Sequence, residues 1–74
     1  MGRILVTVHA RQRLYEERQR GILIEDIVKA AREIPGYVPV ATRFRGFLST
    51  SGRVFDIVAK DIAHGRLVIT VIGK

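Results

Sequence analysis

Apolar residues recur along this chain in two rhythms, and the change of rhythm marks the elements. Ile4, Val6 and Val8 fall on one side of an extended backbone, so Met1 to Val8 reads as a short strand or extended lead-in. A helix is predicted from about His9 to Gln19, with Thr7 as its N-cap and Gly21 as its stop. Ile24, Ile27, Val28, Ala31 and Ile34 then repeat at helical spacing and define a second helix, Ile24 to Glu33, whose stripe is the predicted core, with Leu14 beside it. Glu25 and Asp26 in its first turn complement the helix dipole, and Pro35-Gly36 ends it. Leu23 stands where a Ser or Thr cap is usual.

Beyond Gly36 the period becomes two. Val38, Val40, Thr42, Phe44 and Leu48 share one parity, and Arg43 and Arg45 the other. Ser49 to Gly52 has the composition of a hairpin loop. Arg53 to Lys60 is the next strand, with Phe55, Ile57 and Ala59 on one face and Asp56 and Lys60 opposite. After a turn at Asp61 to Gly65, Arg66 to Ile72 is apolar on both faces, the mark of a central or covered strand. The order predicts an α+β fold: two N-terminal helices packed on a three- to four-stranded antiparallel sheet.

Length sets one domain, since 74 residues leave no room for a second core. The chain has no cysteine, so neither a disulfide nor a thiolate zinc cluster can staple it, which suits a reducing, cytoplasmic setting. The apolar run at Ile4 to Val8 is too short for a signal-peptide core, and no segment approaches the roughly 20 apolar residues of a membrane span. A soluble protein is expected. The formal charge is +6, and most of the 13 basic residues are arginine. The planar guanidinium matches phosphate bidentately, so this balance points to nucleic acid as a partner. A charge-rich, heat-tolerant surface would look the same.

The candidate chemistry sits on the first helix. On an ideal helix His9, Arg13, Glu16 and Arg20 fall within about 60° of one another. An imidazole titrates near neutrality and can move a proton, while guanidinium groups steady a phosphate whose charge grows in the transition state. The same stripe also fits a solvated face with Arg13–Glu17 and Glu16–Arg20 pairs. Arg43 and Arg45, grouped with Arg53 as nucleic-acid contacts, would track a phosphate backbone, and on an edge strand the same charges discourage aggregation. His64, in a turn with Asp61, is the second histidine and the candidate acid to the base at His9. The histidines and scattered aspartates lack zinc-ligand spacing, and no glycine-rich phosphate loop is present, so neither metal nor cofactor is expected. Phe44, Phe47 and Phe55 alternate within short strands and read as core.

Thr7-Val8-His9-Ala10, then Arg13, then Arg20-Gly21-Ile22, then Glu25-Asp26-Ile27 resembles the opening of the family called domain of unknown function 4258. Its pattern runs T-x-H-A-x-x-R, a few residues, R-G-I, then an acidic helix start. The last strand, Arg66 to Ile72, is similar to that family's closing V-T-V strand. About three extra residues separate Arg13 from Arg20, and Leu23 replaces the usual cap. Such domains are considered relatives of the RelE and BrnT toxins, small ribonucleases paired with antitoxins. The resemblance implies a RelE-like fold and a metal-free endoribonuclease acting on RNA. His9 would be the acid/base, with Arg13 and Arg20 on the scissile phosphate and an acidic antitoxin as partner. A non-catalytic module that holds nucleic acid or an acidic protein uses the same surface without chemistry.

Overall fold

The computed structural model describes residues 2–74; Met1, where the predicted first strand began, lies outside the described residues. Seven elements follow in order: β1 (Arg3–Val6), α1 (Val8–Arg13), a 3-10 turn (Glu17–Gln19), α2 (Ile24–Glu33), β2 (Thr42–Leu48), β3 (Val54–Ile62) and β4 (Gly65–Gly73). The α+β class is as expected. Two details are not. The sheet, ordered β1-β4-β3-β2, is mixed rather than antiparallel, because β1 runs parallel to β4 with Arg3 opposite Gly65 and Val6 opposite Val68. The helices are also not N-terminal, because β1 precedes them. Parallel strands need a crossover, and everything from α1 to β3 forms it.

The first helix ends at Arg13, six residues short of its predicted limit. The backbone tightens into i→i−3 bonds, with Leu14, Tyr15 and Glu16 amides donating to the Arg11, Gln12 and Arg13 carbonyls. Residues 15–20 contain no aliphatic side chain, so continuing the helix would bury nothing. Thr7 does cap α1, its hydroxyl accepting from the Ala10 amide at 3.0 Å.

α2 has the predicted bounds. Its stripe buries Ile27, Ala30, Ala31 and Ile34 against Phe55, Ile57 and Ala59 of β3 and Val68 and Val71 of β4, while Ile24 and Val28 are half-buried. Leu14 packs at the edge of this core. The missing cap at Leu23 is replaced from inside the helix. Asp26 accepts from the Leu23 amide at 2.8 Å and, with its other oxygen, from Thr50 on the hairpin loop at 3.0 Å.

The hairpins carry two register shifts. In β2 a bulge between Phe44 and Phe47 puts both rings on the core side, so Leu48 faces away, contrary to the predicted parity. Between β3 and β4, Val58 pairs with Thr70 and Ala59 with Val68, leaving Ile69 as the extra residue. The turn at the predicted Asp61–Gly65 loop is confined to Ala63-His64, because Asp61, Ile62 and Gly65 pair within the ladder. Gly65 has φ +154°, and a β-carbon there would fall on the Arg3 backbone, so only glycine lets β1 lie this close.

Candidate nucleic-acid interface

β1 covers β4 only as far as Val68. Past that point β4 has no strand neighbour on this side, and side chains from the first helical segment take over the ladder. The Thr7 hydroxyl donates to Ile69 O at 2.7 Å, Arg13 Nε donates to Val71 O at 2.8 Å, and Gln19 Oε1 accepts from the Gly73 amide at 3.0 Å. Gln19 is fully buried, and its amide nitrogen donates to Arg13 O and Glu16 Oε1. A β-carbon on Gly73 would meet the Arg18 carbonyl, so the 3-10 turn seats directly on the end of β4. This docking carries the residues after Arg13 to the end of the sheet where β3 begins and β4 finishes.

Arg53, the residue before β3, ties that end together. It donates to Arg20 O, to Arg18 O at 2.7 Å and to Lys74 O at 3.1 Å. A guanidinium surrounded by backbone carbonyls fixes the main chain of three other cationic residues. Among the described residues the Arg20 side chain, 78% exposed, pairs with Glu17 alone, at 3.3 Å. Arg18 is exposed, and no bond or ion pair holds its guanidinium among the described residues.

On the face of β3 turned away from the helices, Asp56 is fully buried. It accepts from Arg43 at 2.8–2.9 Å and from the Gly46 amide at 3.0 Å, and Lys74 Nζ lies 3.3 Å away. Burial pushes its carboxyl up, but the Arg43 bond, the Gly46 amide and Lys74 together outweigh that and hold it below the ordinary range. Arg43 and Lys74 thus share one carboxylate while their side chains stay 37% and 44% exposed.

The predicted residues therefore separate. Arg20 and Arg53 come to the same end of the sheet, joined by Arg18 and Lys74, while Arg43, opposite Val58 midway along β3, is linked to Lys74 through the shared Asp56. Arg13 reaches toward it along β4, with its side chain three-quarters buried beside Glu16. His9 is exposed on the first turn of α1, where no hydrogen bond or ion pair holds its ring among the described residues. The single helical stripe is not formed, since α1 stops before Glu16 and Arg20. Arg45 lies exposed in the β2 bulge, and β2 is at the opposite edge of the sheet from the side where α1 docks.

Charge divides with the layers. The segment 7–41 balances six cations against five acids, whereas the strand-forming remainder carries seven cations and two acids, Asp56 and Asp61, both consumed by internal bonds. Among the described residues no three histidine, cysteine or acidic side chains converge as metal ligands. Comparison with family models, curated proteins and solved structures gives no match.

Nothing in the sequence marks Lys74 or the buried Gln19, because their partners lie far along the chain. Arg18 had a weak signal, as part of the arginine series Arg11, Arg13, Arg18 and Arg20.

Proposed function

We propose that this protein binds RNA through the basic end of its sheet. The observation that carries this reading is the Arg53 clamp, which gathers Arg18, Arg20 and Lys74 around one point with Arg43 adjoining. The acids there, Glu17 and Asp56, are already paired. Arg18 and Arg20, fixed by their backbones with exposed guanidinium groups, suit phosphates spaced along a strand. None of the three phenylalanines stands exposed, so affinity rests on phosphate rather than on their stacking. An acidic protein would compete for the same end.

Binding to single-stranded RNA should weaken steeply with salt, because each phosphate contact releases counterions. Arg18→Ala with Arg20→Ala removes two such contacts and should make the slope of log K against log salt shallower by about 1.4. The fold should persist, since the Arg20 side chain makes only an exposed pair with Glu17 and no bond holds the Arg18 guanidinium among the described residues. Lys60→Ala, at the other end of β3, is the control and should leave the slope alone. An unchanged slope in the double variant removes the proposal.

RNA cleavage is the finer reading, favoured by an exposed His9 four residues before Arg13 on one unbroken helix, the spacing that puts both on one face. The mechanism is metal-free: His9 takes the proton of the RNA 2′-hydroxyl, whose oxygen bonds to the adjacent phosphorus as the P–O5′ bond breaks. The 5′-oxygen leaves with a proton from water, giving a 2′,3′-cyclic phosphate. His9→Ala should stop cleavage while the salt slope of binding stays, as gel analysis and filter binding would show. Cleavage that survives this change clears His9 of the role, and purified protein that cleaves no RNA leaves binding as the function.

A further inference from the structure

At the end of the sheet opposite the Arg53 clamp, a cavity of about 500 Å3 opens between the C-terminus of α2, the start of β1 and the β3–β4 turn. Its volume lies within the roughly 300–1,000 Å3 of small-molecule pockets. The apolar lining comes from Ile4, Ala31, Ile34, Ile62 and Ala63.

One wall is rigid because Arg66 spends every donor on it. Nε and one Nη donate to the two Asp61 oxygens at 2.7 and 3.1 Å, and the remaining bonds reach Ala31 O, Ile34 O and Gly36 O at 2.6–2.8 Å. With five N–H groups used, Arg66 has nothing left for a ligand. The polar groups left at the mouth are Arg32, His64 and Tyr37, all exposed and without side-chain bonds among the described residues. Tyr37 is 77% exposed, although its ring is one of the chain's five aromatic side chains.

An apolar floor, one open aromatic face and two cationic or cationisable side chains together suit a flat ring that carries an anion. We infer that this cavity binds a phosphorylated nucleoside, with the base on the Ile4–Ile34 floor against Tyr37 and the phosphate between Arg32 and His64. Guanidinium and imidazole both donate to phosphate oxygens, and an aromatic face stacks on any base. The ligand is either a free mononucleotide or the phosphorylated terminal nucleotide of a strand. The site is separate from the basic end and stands whether or not RNA binds there.

The test uses Tyr15→Phe protein. The chain has two tyrosines and no tryptophan, so this change leaves Tyr37 as the sole phenol reporter. Adenosine 5′-monophosphate should quench its fluorescence saturably and move the amide resonances of Ile62, His64 and Tyr37. Adenosine alone and inorganic phosphate alone should each bind at least about tenfold more weakly, as should the nucleotide to Arg32→Ala/His64→Ala, because charged hydrogen bonds are lost. The change should not unfold the chain, since both side chains are exposed. Displacement by a short oligonucleotide only when it carries a 5′-phosphate assigns the strand terminus, and no displacement by either form assigns the free nucleotide. The proposal is overturned by equal displacement with and without the phosphate, by equal affinity for adenosine, by absent saturation, or by resonance changes at Arg18, Arg20 and Lys74 instead.

Discussion

Arg66→Ala is expected to lower the free energy of unfolding by about 3–5 kcal/mol, measured by urea melts followed by circular dichroism. The side chain is only 12% exposed and makes five bonds. Three end on carbonyls at and just past the C-terminus of α2, where a helix has no N–H donors of its own for its last carbonyls. Two end on Asp61, which also accepts from the Val38 amide at 2.7 Å and so anchors the chain leaving the helix. Removing the guanidinium orphans those carbonyls and leaves a largely buried carboxylate uncompensated. Stability near the parent's would mean that water replaces the guanidinium at little cost.

The same pair makes the fold acid-sensitive. The Arg66 bond, followed by the Val38 amide, holds the Asp61 carboxyl below the ordinary carboxylate range, and Asp56 is lowered as well. A carboxyl lowered in the folded state adds stability that is fully present above its unfolded pKa of about 4 and is lost as pH falls through the lower folded value. The melting temperature should therefore hold between pH 5 and 7, as a buffer choice, and drop below about pH 4. In Arg66→Ala the drop should be smaller, because the larger cause of the lowered Asp61 carboxyl is removed and the Val38 amide alone remains.

Ile27→Ala should cost about 2–5 kcal/mol, on the same melts. Ile27 is fully buried at the centre of the α2 stripe, facing the two middle strands of the sheet. Truncation removes the transfer free energy of the lost carbons and leaves a cavity walled by β-sheet and helix, two surfaces with little room to collapse inward. A domain of this size has only about 5–15 kcal/mol in total, so a large share of the protein should be unfolded at modest urea. Melting like the parent's would place the core on another face of α2.

What could be read in advance was whatever repeats locally. α2 carries five apolar residues at helical spacing, and β3 alternates Phe55, Ile57 and Ala59 with Asp56 and Lys60, so the stripe of one and the faces of the other follow from period alone. The first helix stops short of its predicted end although Glu16, Glu17, Arg18 and Gln19 all favour helix, because Gln19 instead partners Gly73, 54 residues on. The parallel pairing of β1 with β4 was hidden for the same reason, since no local pattern reports a neighbour at the far end of the chain. At the candidate site, residue type was informative and grouping was not. The arginines drew attention by chemistry, but which of them meet is decided by the carbonyls that Arg53 collects.

The completion of β4 by Thr7, Arg13 and Gln19 bears on the order of assembly. The hairpins β2–β3 and β3–β4 join residues close in sequence and can form early, whereas the Thr7–Ile69 bond, like the β1–β4 pairs, spans 62 residues. The edge that β1 and these three side chains cover exists only once β4 is already paired to β3. Long-range closure of this kind predicts that the N-terminal strand and α1 dock late, which early exchange of the Leu5 and Thr7 amides in native-state hydrogen exchange would check. Release of that segment would expose the edge of β4, Ile69 to Gly73, as a strand template for another chain, so the side chains that finish the ladder also stand guard against misassembly.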